Sequence, residues 1–170
     1  QSNRTAVITG AGDGIGRALA INLNSRGIDL YLCDIDRERL DATAGMLNRD
    51  GVTVSTAVVD CGNREQIETW AEMIRAENDS LDFLFNNAGV GYASPFRDAS
   101  LENFEWLMNI NYWGVVWSTK AFLPLLEASP AGHLVNISSI FGMVGIATQS
   151  AYNSAKFAVR GFTESLQAEY

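Results

Sequence analysis

The stretch TGAGDGIG, residues 9–16, carries glycine at four of the seven positions that follow its first residue. A short β-branched run, residues 5–9, precedes it, and apolar residues at helical spacing follow it. Glycine lacks the Cβ that would keep a ligand away from the backbone, and the free amides and dipole of a helix start attract an anion. A tight turn alone would explain one or two glycines but not four. The stretch therefore predicts a strand, loop and helix that bind the pyrophosphate of a dinucleotide.

Further strand-like runs and helical patterns extend this unit along the chain. The predicted strands cover residues 5–9, 29–34, 52–60, 81–86 and 133–138, and the predicted helices cover 14–25, 36–49, 63–77, 101–126 and about 151 to 170. All five strands are rich in β-branched or aromatic residues and are expected to be buried. The alternation favours parallel pairing with right-handed crossovers, so we expect one α/β domain over 1–170 with a doubly wound parallel sheet. Ligands bind such a sheet beyond the carboxyl ends of its strands.

Polar residues stand where the helices should begin. Asp36, Asn63 and Ser100 occupy predicted N-cap positions, and Gln66 follows Asn63 at the spacing of a capping box. Pro124 is expected to end or kink the fourth helix, because proline has no backbone N–H.

The composition excludes several classes of protein. With 170 residues, 47% hydrophobic, the chain can bury a core, and its net charge of −8 argues against nucleic acid as a partner. No apolar run approaches the roughly 20 residues that cross a bilayer, and residues 1–4 have no signal-peptide character, so we expect a cytoplasmic protein without a membrane. Cys33 and Cys61 form no C-x-x-C pair, which suits a reducing compartment and predicts no metal site.

The second and third predicted strands end on carboxylates. Asp34 lies 18 residues beyond Gly16, where it can accept hydrogen bonds from both hydroxyls of an adenosine ribose. A 2′-phosphate there would meet Asp34 and also Asp13, and residues 10–16 contain no arginine or lysine, so NAD is favoured over NADP. Capping of the next helix is the alternative role for Asp34, although Asp36 is better placed for it. Asp60, with Cys61 beside it, is a weaker candidate for the adenine.

Five motifs in this order resemble the short-chain dehydrogenase/reductase family over essentially the whole chain. They are the glycine loop with its G-x-x-x-G-x-G spacing, NNAG at residues 86–89, NINYWG at 109–114, NISS at 136–139, and the pair Tyr152-x-x-x-Lys156. The resemblance implies a Rossmann fold and a catalytic tetrad of Asn111, Ser139, Tyr152 and Lys156. It implies that Asn111 holds a water that links Lys156 to solvent, and that Lys156 also binds the nicotinamide ribose. The expected cofactor-binding residues are Gly10, Asp13, Gly14, Ile15, Gly16, Asp34, Asp60, Cys61, Asn87, Ala88, Gly89, Tyr152 and Lys156.

The same chemistry follows from the residue types. Hydride transfer to a carbonyl carbon needs a proton for the alkoxide that results, and a phenol, with an ordinary pKa of about 10, can supply it beside a positive charge. Tyr152 and Lys156 lie four residues apart, on one face of a helix, where the ammonium favours the phenolate. Ser139 can donate a hydrogen bond to the substrate oxygen. We therefore expect an NAD(H)-dependent enzyme that interconverts a secondary alcohol and a ketone or aldehyde.

Two other functions are possible for an α/β sheet of this kind. A serine hydrolase would need a G-x-S-x-G elbow, which is absent, and the only histidine, His133, is in the wrong place for a triad. A non-catalytic NAD-binding protein on the same fold is the more serious alternative, and the intact tetrad argues against it. Members of the family run to about 250 residues with further strands and a substrate loop, so we expect a chain truncated at its C-terminal end, and a homodimer or homotetramer when full length.

Overall fold

The computed structural model describes residues 3–170. The helices and strands, in chain order, are β1 Thr5–Thr9, α1 Gly14–Ser25, β2 Asp29–Asp34, α2 Arg37–Ala44, β3 Val54–Val58, α3 Arg64–Glu77, β4 Phe83–Asn86, α4 Leu101–Met108, α5 Gly114–Ala128, β5 His133–Asn136 and α6 Ser150–Glu169. A π-helical turn, Asn109–Trp113, joins α4 to α5. Short 3-10 turns cover Phe96–Asp98 and Ile140–Gly142.

All strand pairs are parallel, and the order across the sheet is β3-β2-β1-β4-β5. The predicted doubly wound α/β sheet is thus confirmed. Side chains of β1 alternate between its faces, as the pleat requires. Ala6 and Ile8 pack with α1 and α2 on one face, whereas Val7 packs with α3 and α5 on the other. The strand order reverses at β1, between β2 and β4, and this reversal opens the crevice in which such sheets bind ligands.

Burial of all five strands was a wrong prediction for β3 and β5. Both are edge strands with a single neighbour, so their residues are only partly covered, and Val58 is 44% exposed. The strand predicted over 52–60 is shorter because its ladder with β2 runs only from Val54 to Val58. The strand predicted from residue 81 begins at Phe83, since the Leu81 N–H instead donates to the Leu125 carbonyl of α5.

The helix predicted over 101–126 is divided by the π-helical turn and runs on to Ala128. Pro124 therefore does not end it. Proline has no N–H to donate to the Lys120 carbonyl, but both residues are exposed, so water can bond that carbonyl instead. The buried Leu125 and Leu126 hold the last turn of the helix against the core. The helix predicted over 36–49 spans only Arg37–Ala44, with Asp36 as its N-cap and Gly45 as its C-cap.

The three predicted N-caps are confirmed. Asp36, Asn63 and Ser100 each accept a hydrogen bond from the backbone N–H three residues on. The capping box is only half formed, because the Gln66 side chain accepts from the Asp60 N–H rather than from that of Asn63.

Gly16 allows α1 to pack against the loop that precedes it. A Cβ at this position would collide with the Gly10 carbonyl. We expect Gly16→Ala to lower the free energy of unfolding by about 1–3 kcal/mol, measured by urea denaturation. Gly161→Ala, in α6 where a Cβ meets nothing within 4 Å, should raise it by up to about 1 kcal/mol. Equal effects of the two substitutions would contradict this account.

Candidate cofactor and catalytic site

A cavity of about 640 Å³ lies beyond the carboxyl ends of β1, β2, β3 and β4. This volume is within the range of small-molecule sites. Its wall contains these predicted cofactor residues: Gly10, Asp13, Gly14, Ile15, Asp34, Asp60, Cys61, Asn87, Ala88 and Gly89. Gly16 does not reach the wall, because it is buried against the loop. The structure thus gives Gly16 a packing position rather than a contact position.

The glycine loop is held open by its neighbours in the sheet. Thr9 Oγ1 accepts hydrogen bonds from the N–H groups of Asn87 and Ala88, both at 3.0 Å, and Asn87 Nδ2 donates to the carbonyls of Thr9 and Gly10. Gly14 has φ of 51°, and a Cβ there would meet open space. This cradle at the start of α1 fits the pyrophosphate of a dinucleotide, since it joins a backbone without side chains to the positive end of a helix dipole.

Asp34 is tied to the loop and still faces the cavity. Its carboxylate accepts from the Gly12 N–H at 2.8 Å and from the Asp36 N–H at 3.0 Å. A carboxylate offers about four acceptor positions, so two remain for a ribose. Asp60 is placed similarly, with one oxygen accepting from the Gly62 N–H at 2.8 Å.

The sequence analysis missed two arginines near this cavity. Arg39 lines the wall and lies 3.6 Å from the Asp13 carboxylate and 3.2 Å from that of Asp36. Arg17 donates to the Gly12 carbonyl and lies 3.8 Å from Asp13. Neither falls within residues 10–16, the glycine loop on which the prediction of NAD depended. Their spacing in the sequence could have indicated these positions. Arg39 lies three residues beyond the N-cap Asp36, and Arg17 lies four residues beyond Asp13, so each is a helical neighbour of a carboxylate at the cavity.

A second cavity, of about 600 Å³, adjoins the first, and Ile15, Asn87, Gly89 and Val90 line both. Ser139, Tyr152 and Lys156 lie in its wall, together with Ser138, Phe141 and Gln149. Three of the four predicted catalytic residues are therefore brought together by α6 and the segment after β5. Lys156 Nζ donates to the Ile137 carbonyl at 2.8 Å and lies 5.6 Å from the centre of the Tyr152 ring.

The serines at the end of β5 have separate partners. Ser139 Oγ accepts from the Phe141 N–H at 3.2 Å and caps the 3-10 turn, which leaves its hydroxyl hydrogen available to a substrate. Ser138 Oγ donates to the Lys156 carbonyl at 3.1 Å. Ser139 is thus the serine that can act as a donor within the cavity.

Asn111 lies apart from the cavity wall, fully buried in the π-helical turn. Its Oδ1 accepts from the Val90 N–H and its Nδ2 donates to the Val90 carbonyl, both at 2.8 Å. The side-chain amide therefore holds Val90, which lines both cavities. One hydrogen of Nδ2 and one lone pair of Oδ1 are not used by these two bonds, so the bonds do not exclude a water of the kind implied by the resemblance.

Burial changes the acid–base character of two groups. It lowers the pKa of Lys156 to about 8, because the ammonium is removed from water. It raises the pKa of the Cys33 thiol, and the adjacent Cys61 raises it further. Both cysteines are free. Among residues 3–170, no cluster of three or more histidine, cysteine, aspartate or glutamate side chains could hold a metal ion, and no helix has the length and apolar character to span a bilayer.

Comparisons with known proteins agree with this geometry. The family model for short chain dehydrogenase matches residues 4–170. The chain therefore belongs to the short-chain dehydrogenase/reductase family. It is 44% identical over 166 residues to the putative oxidoreductase SadH of Mycobacterium tuberculosis, a match that spans 98% of this chain but 60% of that protein.

Solved structures show the same fold with either nucleotide. A short-chain dehydrogenase/reductase from Burkholderia phymatum in complex with NAD superposes with a TM-score of 0.93 at 34% identity, over 99% of this chain and 60% of that one. A metagenomic short-chain oxidoreductase in complex with NADP superposes with a TM-score of 0.93 at 31% identity, over 99% and 76% of the two chains.

The lowered pKa of Lys156 predicts a pH dependence of stability. Between pH about 8 and 10.5 the folded protein binds fewer protons at this site than the unfolded chain, so stability rises with pH across that window. Below the window the cost of burying the ammonium is present in full and does not change with pH. We expect the free energy of unfolding of the wild type to gain up to about 3 kcal/mol relative to Lys156→Met over this window, measured by urea denaturation at a series of pH values. Lys120→Met, which removes the other lysine of the chain, an exposed one, should show no such trend. A constant difference between wild type and Lys156→Met would contradict the assignment.

Proposed function

We propose that this protein is an NAD(H)-dependent oxidoreductase that interconverts a secondary alcohol and a ketone or aldehyde. The observation that carries the proposal is the junction of the two cavities. The glycine loop and the side chains of Ser139, Tyr152 and Lys156 face one continuous crevice, because four residues line both of its halves. A dinucleotide site and a proton-transfer site in contact are what hydride transfer to a carbonyl requires.

The chemistry divides between cofactor and chain. When bound, the nicotinamide accepts or donates the hydride. Tyr152 takes or gives the proton of the substrate oxygen through its phenolic oxygen, and the Lys156 ammonium, over the same ring, favours the phenolate form. Ser139 donates its free hydroxyl hydrogen to the substrate oxygen and stabilises the charge that develops there. Asn111 acts indirectly, because it holds Val90 in position at the junction of the cavities.

The charges around the ribose end support NAD as the cofactor. Asp13, Asp34, Asp36 and Asp60 line the first cavity, and Arg39 is the one arginine or lysine in its described wall. Two of these carboxylates already pair with Arg39. A 2′-phosphate would therefore meet a net negative wall, whereas ribose hydroxyls would meet acceptors. Family members crystallise with either nucleotide, so it is this local charge balance that supports the choice.

A non-catalytic nucleotide-binding protein is the second candidate. It is disfavoured because Tyr152 and Lys156 are unsubstituted and share a cavity with Ser139. We further propose a homodimer or homotetramer as the working assembly and the cytoplasm as its location. Two free, buried cysteines suit a reducing compartment.

Removal of the phenolic oxygen tests the catalytic assignment. We expect Tyr152→Phe to lower kcat by about 10²–10⁴-fold with little change in NADH affinity, because the hydroxyl acts in proton transfer. Steady-state kinetics with a panel of secondary alcohols and ketones measure kcat, and nicotinamide fluorescence measures binding. Tyr112→Phe, close to α6 but outside the cavity wall, is the control and should retain activity. Near-normal turnover of Tyr152→Phe would remove Tyr152 from the mechanism.

Two substitutions with opposite effects test the choice of cofactor. The wild type should bind NADH more tightly than NADPH. Asp34→Ala should reduce this difference in affinity, because NADH would lose hydrogen bonds worth about tenfold in Kd while NADPH would lose the repulsion between its 2′-phosphate and the carboxylate. Arg39→Ala should increase this difference in affinity, because it removes the cation that pairs with Asp36 and one of the two that pair with Asp13. Fluorescence titration of both nucleotides gives the ratios, and tighter binding of NADPH by the wild type would refute the proposal.

A further inference from the structure

The segment between Ser139 and Tyr152 contributes Phe141 and Gln149 to the wall of the second cavity, the catalytic cavity, and its backbone is held by hydrogen bonds. Asn153, which is 8% exposed, makes three hydrogen bonds to it. Its Oδ1 accepts from the Ile146 N–H at 2.9 Å, and its Nδ2 donates to the carbonyls of Phe141 and Val144 at 2.6 and 2.7 Å. A wall fixed in this way has one shape before a substrate arrives.

The end of the segment is fixed by a second device. Thr148 is the one described residue other than glycine with positive φ, at 68°, a conformation that a β-branched residue rarely adopts. Its carbonyl accepts from the Ser94 N–H at 2.9 Å, which ties it to the loop after β4. Residues in a disfavoured backbone conformation occur most often at binding and active sites, and they persist only where the surrounding structure holds them in place.

These contacts set the position of Gln149, the next residue. Gln149 stands at the N-cap of α6 but makes no capping hydrogen bond with its side chain. Its spacing to Tyr152 and Lys156 is i, i+3 and i+7, which places the three side chains along one stripe of the helix. All three line the catalytic cavity, and Gln149 is half-buried there.

The other polar side chains of this wall have proposed catalytic roles or hydrogen-bond partners of their own. Ser139, Tyr152 and Lys156 belong to the proposed proton-transfer set. Ser138 donates to the Lys156 carbonyl, and the amide nitrogen of Asn87 donates to the glycine loop. Within residues 3–170, no hydrogen-bond partner is present for the side-chain amide of Gln149. The rest of the wall is largely apolar: Ile15, Val90, Ile137 and Phe141.

We propose that Gln149 determines substrate specificity, with its amide hydrogen-bonding a second, uncharged polar group on a ketone or alcohol whose remaining skeleton is apolar. The inference rests on the proposed function of the same site. The amide offers two donors and one acceptor and carries no charge, so it suits a hydroxyl or a second carbonyl. Lys156, which belongs to the proposed proton-transfer set, is the only arginine or lysine in the described wall, so no second cation is present there to pair with a carboxylate on the substrate.

The test compares two ketones of equal shape in the complete encoded protein. Rates of NADH-linked reduction are measured for 4-hydroxycyclohexanone and 4-methylcyclohexanone, in the wild type, in Gln149→Leu and in Gln167→Leu. The last variant makes the same change at an exposed position of the same helix. The wild type and Gln167→Leu should prefer the hydroxyl compound by about tenfold in kcat/KM, the value of one well-placed hydrogen bond, and Gln149→Leu should abolish that preference.

Binding separates this inference from the function on which it rests. The affinity of the NADH-loaded protein for each ketone is measured by calorimetry in the same three variants. A preference in Kd that Gln149→Leu removes, without turnover of either ketone, would support the specificity role and overturn the proposed reaction. Turnover of both ketones with a ratio that Gln149→Leu leaves unchanged would keep the reaction and overturn the specificity role.

Discussion

Hydrogen bonds between the carboxyl ends of β1 and β4 hold the crevice on which the site depends. The Thr9 hydroxyl oxygen accepts hydrogen bonds from two backbone N–H groups that follow β4, and the Asn87 side chain donates to two backbone carbonyls at the end of β1. The glycine loop and the NNAG segment therefore form one unit at the point where the strand order reverses. The crevice exists because β1 has parallel neighbours on both sides whose following segments diverge. Both cavities open from this unit, and Asn87 lines each of them.

Buried asparagines recur as structural links around the site. Asn111 pairs with both backbone groups of Val90, Asn153 holds three backbone groups of the segment before α6, and Asn86 donates to Asn136, which in turn donates to Thr163 of α6. An amide is suited to this because it offers both donors and an acceptor on a short side chain. Loss of one such amide would remove two or three hydrogen bonds at once from the backbone of these segments, each worth about 1 kcal/mol. These residues therefore stabilise the loops that the proposed chemistry needs.

The two halves of the crevice differ in charge. Carboxylates surround the first cavity, whereas the second has a single buried ammonium and otherwise uncharged side chains. Burial that lowers the pKa of Lys156 also strengthens the field of its ammonium within the second cavity, because a charge acts further where water is excluded. In the proposed reaction, the first cavity would offer acceptors to ribose hydroxyls and the second would hold a cation beside the phenol.

Local sequence determined the parallel sheet, the helix caps and the motifs, because hydrophobic period, glycine content and capping residues act within a few positions of each other. The strand β1 and the helix α1 were predicted with their observed bounds for this reason. Tertiary structure decided what depends on distant partners. β3 and β5 are less buried than expected because each is an edge strand, which only the order of the whole sheet reveals. Arg39 reaches the first cavity beside Asp13, and Asn111 binds Val90 rather than facing the cavity, because the fold brings together residues 26 and 21 positions apart in the chain.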